Sequence, residues 1–288
     1  MINYLNNPLL QEKVMLGFAK EKEQGMLFAT NLLPERKVNS RAIDYKIIKN
    51  TRGLAEEIRE GAEELLTNIG YEEKTALVKE IREGAMLTEQ AIQEAHLRDL
   101  VADNLEHLVE RNVLKQEYMI ISQIIANAGT VFGSTVDWSQ GTSKPLEDIL
   151  DAVATMKNND FVQPDTMIID PTRELELLKH PDFKEILLQA DPKQLISGAN
   201  IKGIGSIRGM NVYVANAVYD ADTGTNQILS GKTILMKAGS QTGFTAVRED
   251  LTVRRFADNG KRAIRLQVFK TLFPVIQRPQ NIAIINHA

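Results

Sequence analysis

The chain contains no cysteine. That excludes a disulfide framework, a thiolate nucleophile and cysteine-ligated zinc. No stretch approaches the roughly 20 apolar residues that cross a bilayer as a helix. The longest apolar patch, Met119 to Ala126, is broken by Ser122 and Gln123. The opening Met1-Ile2-Asn3-Tyr4 lacks the basic flank and apolar run of a secretory signal. Aromatic residues are few, with Trp138 the single tryptophan. Trp138 reads as a core or interface residue, because a platform for stacked bases needs further aromatics beside it. Internal repeats at solenoid periods and low-complexity tracts are also missing.

Motifs for chemistry fail on spacing or context. Ser230-Gly231-Lys232-Thr233 has the ending of a phosphate-binding loop, but Asn226 stands where that loop needs its first glycine. The residues that follow are β-branched and read as a strand, whereas a phosphate cradle opens a helix. Gly203, Gly205 and Gly209 come close to a dinucleotide fingerprint, with the last glycine one position late. The four histidines are His96, His107, His180 and His287. The first two lie about 16 Å apart along one helix, too far to share a metal. Each histidine is expected to be solvated or capping. There is no Gly-x-Ser-x-Gly elbow and no carboxylate pair singled out by spacing. No catalytic residue, metal ligand or cofactor is therefore expected, and the chain reads as a non-enzyme.

What the chain does have is a charge asymmetry. Its net charge of −4 is the wrong sign for gripping duplex DNA. From Leu54 to Glu110 there are 15 acidic and 5 basic side chains; from Arg248 onward there are 8 basic and 3 acidic. The asymmetry reads either as two solvated faces that happen to differ, or as complementarity between an acidic arm of one copy and a basic patch of the next, which fixes register in head-to-tail assemblies.

The 288 residues suffice for a large core. Residues 1–34 look like an arm with one short helical pattern, Leu9 to Ala19. Residues 35–86 begin with the alternation Arg41-Ala42-Ile43-Asp44-Tyr45-Lys46-Ile47, which predicts a strand. They continue as a charged, glycine-punctuated excursion around Glu56 to Glu60. Ala85 to Ala128 lacks glycine and proline. With Thr88 as N-cap, an apolar stripe runs through Leu87, Ala91, Leu97, Val101, Leu105, Leu108 and Val109, and this predicts one helix roughly 60 Å long. A strand-and-turn stretch over 130–142 is followed by a helix from Ser143 and Pro145, whose buried face is Leu146, Ile149, Leu150, Val153 and Met156. Thr166 to Ile169 reads as a buried strand, and Pro171 to Leu178 as a helix ended by His180-Pro181. The last third is β-rich. Asn211 to Val214, Thr233 to Met236 and Gln277 to Asn286 read as strands, and Asp258-Asn259-Gly260 as the turn of a hairpin between Leu251–Phe256 and Arg262–Phe269.

Four segments in this order carry a resemblance. They are Asp137-Trp138 with Pro145-Leu146-Glu147-Asp148-Ile149; Pro164 to Pro171 followed by Leu177-Leu178; Ile207 to Val214; and Arg248-Glu249-Asp250-Leu251-Thr252-Val253. Over essentially its whole length the chain resembles the major capsid proteins of tailed phages, with the Hong Kong 97-like fold that encapsulin shells share. The resemblance implies an α+β fold divided into an N-terminal arm (1–34), an extended loop (35–86), a peripheral domain with a long spine helix (87–140), an axial domain (141–239), a peripheral hairpin (240–272) and a final axial strand (273–288). It implies an icosahedral-type viral head enclosing double-stranded DNA, built from hexamers and pentamers of this chain in the host cytoplasm. The partners implied are separate scaffolding and portal proteins, an optional decoration protein and DNA touched non-specifically, with no membrane. The contact expected between subunits joins Glu56, Glu57, Glu60, Glu63 and Glu64 of one copy to Arg254, Arg255, Lys261, Arg262 and Arg265 of the next. Two departures from the family follow. No long cleaved scaffolding segment is expected, so scaffolding would come from a separate protein, or the family subtype differs. A covalent Lys–Asn cross-link is not expected either, although Asn259, Lys37 and Lys46 are suitably placed, because no catalytic carboxylate can be assigned. A nanocompartment with protein cargo is the alternative within the fold, and a cytosolic enzyme or small-molecule binder the alternative outside it.

Overall fold

A computed structural model describes residues 11–26, 29–49, 70–88, 90–91, 97–134, 136–181, 183, 206–207, 209–215, 229, 231–258 and 260–287. The helices are α1 (Glu12–Met26), α2 (Leu97–Ala126), α3 (Pro145–Asp160) and α4 (Pro171–Lys179). The strands are β1 (Glu35–Lys37), β2 (Ala42–Ile48), β3 (Tyr71–Leu77), β4 (Lys79–Thr88), β5 (Thr130–Gly133), β6 (Thr166–Ile169), β7 (Ser206–Ile207), β8 (Met210–Val214), β9 (Lys232–Met236), β10 (Gly243–Asp258), β11 (Ala263–Ile276) and β12 (Ile282–Asn286). They form a four-stranded sheet in the order β1-β10-β11-β4, a six-stranded sheet in the order β5-β12-β9-β6-β8-β7, and a β2-β3 ribbon.

The four-stranded sheet is built on the β10–β11 hairpin. Leu251 and Val253 of β10, and Ile264, Leu266 and Val268 of β11, alternate onto one face. There they meet Val101, Leu105, Leu108, Val109 and Val113 of α2, and Met15 and Ala19 of α1. Fully burying each large apolar side chain stabilises by about 1.5–3 kcal/mol, so this layer fixes both helices. The other half of α2 serves the second sheet. Ile120, Ile121 and Ile124 pack on Ile168, Ile234, Met236, Ile282 and Ile284. The opposite face of that sheet is covered by Trp138, Ile149 and Met156 against Met167, Ile169, Leu235 and Ile285. Because β6 is covered on both faces, all four of its residues are buried. A continuous apolar run such as Thr166–Ile169 is the sequence form of such a strand.

Several expectations hold. Pro145 and Pro171 sit in the first turns of α3 and α4. Asp170, not anticipated, caps α4 by accepting from the Arg173 N–H at 2.6 Å. The β10–β11 hairpin turns between Asp258 and Ala263, with Asn259 outside the described residues.

The apolar stripe expected to open at Leu87 needs correction. Residues 79–88 are strand β4, hydrogen-bonded along β11 from Leu272↔Lys79 to Ala263↔Thr88. Leu87 is buried beneath that sheet and is not part of a helical stripe. Pairing with β11 draws this stretch, expected up to residue 86 in the charged excursion, into the sheet. Thr88 still acts as an N-cap, its Oγ1 accepting from the Ala91 N–H at 3.3 Å. The helix proper, α2, has 30 residues and is about 45 Å long.

Residues 35–86 are likewise not one excursion. β1 pairs with β10 and β4 with β11, so both ends belong to the four-stranded sheet and only the ribbon stands off it. The ribbon's base is tied down by the Ile48 N–H donating to the Gln277 carbonyl at 2.8 Å. Ile43 and Tyr45 lean on Phe244, Ala246 and Val275.

One buried charge pins the arm to this frame. Lys270 of β11 is 1% exposed. Its Nζ donates to Glu23 of α1 at 3.0 Å and to Glu35 of β1 at 2.8 Å. Gln116 of α2 donates to Glu23 at 3.4 Å and to Asn112 at 2.9 Å. Burial alone would lower the pKa of the ammonium group, but Glu23 and Glu35 outweigh it and hold Lys270 protonated above its ordinary range.

Two tests follow. Replacing Lys270 with Met strands Glu23 in the interior and should cost about 3–5 kcal/mol in urea unfolding, most of it recovered by adding Glu23→Leu. The backbone makes a second demand at Gly243, where a Cβ would sit 2.1 Å from the Val275 carbonyl oxygen. Gly243→Ala should cost about 3 kcal/mol, whereas Gly17→Ala, in α1 with no atom within 4 Å of its Cβ position, should gain about 0.5–1 kcal/mol.

Candidate assembly surface

The face of the four-stranded sheet turned away from α1 and α2 is read off the strand register, because residues directly opposite one another share a face. Three rows cross β10, β11 and β4 on that side: Thr252–Phe269–Arg82, Arg254–Gln267–Gly84 and Phe256–Arg265–Met86. Arg254, Arg265 and Arg82 are all exposed. The guanidinium of Arg254 lies 4.8 Å from the centre of the Phe269 ring, and that of Arg82 5.8 Å. The Gln267 amide, turned with its oxygen toward Arg265, accepts from Nε and Nη2 at 3.1 Å. Phe256 and Met86 are 47% and 43% exposed. The surface is therefore a set of fixed guanidinium groups with apolar side chains between them. Arginine in this setting suits desolvated contacts, being weakly hydrated and presenting a planar fork to carboxylates.

The five basic residues expected at the contact divide three ways. Arg254 and Arg265 lie together on the outward face. Arg255 points to the opposite face, under α1, where its backbone N–H donates to the Glu12 carboxylate at 3.2 Å. Lys261 and Arg262 are exposed in the hairpin turn, with Arg262 in the left-handed region at φ 47°. Glu56, Glu57, Glu60, Glu63 and Glu64 lie outside the described residues. Arg82, Met86 and Phe256 were missed. The sequence signal for the first two was the alternation of β4, which lies within the stretch expected to be a charged excursion.

The β2–β3 ribbon is the other exposed feature. Tyr71 is 53% and Leu77 58% exposed, while only Ile47 and Ala76 of its residues are buried. Its charges balance within it, with Lys46 paired to Glu73 at 3.2 Å and Lys49 to Glu72 at 3.7 Å. A two-stranded ribbon is marginal by itself, so this one gains from further cover.

Chemistry is absent where the sequence offered it. Gly231, at φ 68°, turns the chain into β9, so the Gly-Lys-Thr stretch enters a strand. Gly209, at φ 81°, sits in the turn between β7 and β8, and Gly203 and Gly205 lie outside the described residues. Among the described residues, no group of three His, Asp or Glu side chains could hold a metal, and no helix is long and apolar enough to cross a membrane.

The model of the phage capsid protein family matches residues 72–282, a span that includes strands of all three sheets. The chain belongs to the phage capsid protein family. It is a virion structural protein and not an enzyme. Solved structures give the same fold, the Hong Kong 97-like one. A virus-like particle from Pyrococcus furiosus is 15% identical, with 95% of this chain and 98% of that chain covered and a TM-score of 0.65. A phage-related protein from Bordetella bronchiseptica RB50 is 15% identical, with 95% and 96% covered and a TM-score of 0.65. The capsid of Cyanophage P-SCSP1u is 12% identical, with 91% and 88% covered and a TM-score of 0.61. No curated protein sequence matches the capsid chain.

One histidine departs from the solvated-or-capping reading. His180 is the C-cap of α4 and is buried there, its Nε2 2.9 Å from the Ser143 carbonyl oxygen. His96 lies outside the described residues, and His107 is exposed. His287 stands edge-on to Trp138, with ring centres 4.1 Å apart, and its Nε2 is 2.8 Å from the Thr233 hydroxyl. Trp138 is 1% exposed and donates from Nε1 to Asp148 at 2.9 Å. Next to this group Arg173 bonds Asp137 and Glu176, each at 2.6 Å. Burial, and then the Arg173 charge, push the His287 pKa down to about 4, against the partial opposition of Asp137 and Asp148. Between about pH 6.5 and 4 the unfolded chain binds a proton that the folded one does not. The contribution of His287 is therefore complete above that window and is lost as pH falls through it. His287→Gln should flatten the change in urea midpoint between pH 7 and pH 5; a midpoint that falls as far as in the parent protein would show that another group is responsible.

Proposed function

We propose that this capsid protein is the major subunit of a phage head, assembling with itself into hexamers and pentamers of an icosahedral shell around double-stranded DNA. The observation that carries the reading is the family match across residues 72–282. The four-stranded sheet with α1 and the first half of α2 serves as the peripheral domain, the six-stranded sheet as the axial domain, and the β2–β3 ribbon with the residues between its strands as the extended loop. Separate scaffolding and portal proteins complete assembly in the host cytoplasm. DNA is contacted without base readout, in keeping with the acidic net charge. Electron micrographs of purified particles test this directly. DNA-filled heads with a portal vertex are expected, and closed shells holding protein cargo would overturn it.

In this reading the acidic stretch Glu56–Glu64 of one subunit lies on the outward sheet face of the next, meeting Arg254 and Arg265, with Lys261 and Arg262 at the rim. Apolar Phe256 and Met86 supply the desolvated centre such a contact needs. Arg255 faces the other way and is not part of it. Reversing Arg254 and Arg265 to Glu together should raise the concentration needed for assembly by about tenfold or more, with the far-ultraviolet circular dichroism of the subunit unchanged. Arg255→Glu should have the smaller effect. Equal effects from the two faces, seen by light scattering, would remove this contact.

A further inference from the structure

Helix α3 ends in an unusual way. Its last turn closes with the Phe161 N–H donating to the Lys157 carbonyl at 3.0 Å and the Val162 N–H to the Met156 carbonyl at 3.3 Å. The residue after such an ending adopts the left-handed conformation and is usually glycine. Here it is Phe161, at φ 54° and ψ 27°. Its side chain is 83% exposed, the most exposed large apolar residue among those described. The chain thus bears two penalties at one position, a strained backbone and a ring in water. Either alone is common, but together they mark a residue kept for a contact. Beside the ring is a shallow cleft whose charged members are Lys237, which is paired with Asp165 at 2.9 Å, and Arg278.

The opposite surface occurs elsewhere on the same helix. Along its first half, Phe132, Val136 and Ile285 line a cleft of about 310 Å³ rimmed by Glu147 and Asp151. Within it Asp148 is occupied by Ser134 and Trp138, and Lys144 by Glu147. The volume is at the lower end of clefts that hold small ligands, roughly 300–1,000 Å³, and accommodates an aromatic side chain. An aromatic knob beside Arg278 therefore sits at one end of α3. A cleft of mixed polarity, with Asp151 at its rim, sits toward the other end of a helix about 24 Å long.

We infer that Phe161 of one subunit inserts into the Phe132–Val136–Ile285 cleft of the next, with Arg278 facing Asp151. The occupant is a second copy because apolar shape and charge sign match between two separate surfaces of a single chain. Such a contact is heterologous: each copy gives a knob and receives one, and the chain of contacts ends only when a ring closes. The inference rests on the shell reading above and adds to it a defined axial contact.

Assembly of the full chain, followed by light scattering and analytical ultracentrifugation, tests it. Phe161→Gly removes the backbone strain, so the isolated subunit should melt at the same temperature or higher, yet assembly should need at least about tenfold more protein. Phe161→Trp should assemble as the parent does. Arg278→Glu should weaken assembly, and adding Asp151→Arg should restore it. Phe161→Gly shells forming at the parent concentration, or failure of Asp151→Arg to rescue, would overturn the contact while leaving the shell reading intact. A parent chain that never assembles would remove the shell reading and this contact together.

Discussion

Lys270 enters the interior from the middle of β11, and an ammonium group there must have its charge answered on the spot. The answer comes from residues far away in the chain, Glu23 in α1 and Glu35 in β1, with Gln116 of α2 bonded to the first of them. One cation therefore decides where the arm lies, which edge β1 takes on β10, and how α2 is rotated over the sheet. The surrounding apolar layer supplies most of the free energy, but apolar contact is not directional. The ion cluster gives that layer one register, so the outward face, with its rows of arginine and aromatic side chains, is presented in a single geometry.

What the sequence disclosed follows the range of the forces involved. Elements set by local chemistry were readable. Pro145 and Pro171 start helices, and the hairpin signalled near Asp258 turns between Asp258 and Ala263. The buried run Thr166–Ile169 is a strand covered on both faces. Elements set by distant partners were not. Residues 79–86, read as part of a charged excursion, lie in a strand because β11 offers ten residues of backbone beside residues 79–88. The same limit applied to the site. Positive charge near the C-terminal end was plain, but which arginines share a face depends on strand parity. A pattern of two basic residues in a row, Arg254-Arg255, necessarily sends one to each side. His287 was misread for a similar reason, since the ring that buries it, Trp138, lies far away in sequence.

The division of labour between the two sheets explains how a protein without reactive chemistry can have a demanding structure. Helix α2 belongs to both cores, with Val101–Val113 on one sheet and Ile120–Ile124 on the other. It makes a stiff connection between a face rich in guanidinium groups and a region whose surfaces carry the Phe161 knob and the acid-rimmed cleft. Contacts at either end are then held at a fixed distance, and fixed distance and angle are what a closed shell requires of a repeated part.

The topology also governs time. β1 waits for β10, β5 for β12, and Glu23 for a lysine 247 positions later. A nascent chain can form its helices early, but almost nothing that holds the sheets together is local. Search over such separations is slow, and it leaves strand edges open meanwhile. Folding of each subunit is then a slow step on the way to any building block. Growth from a trickle of competent subunits favours completing particles already begun over starting too many at once.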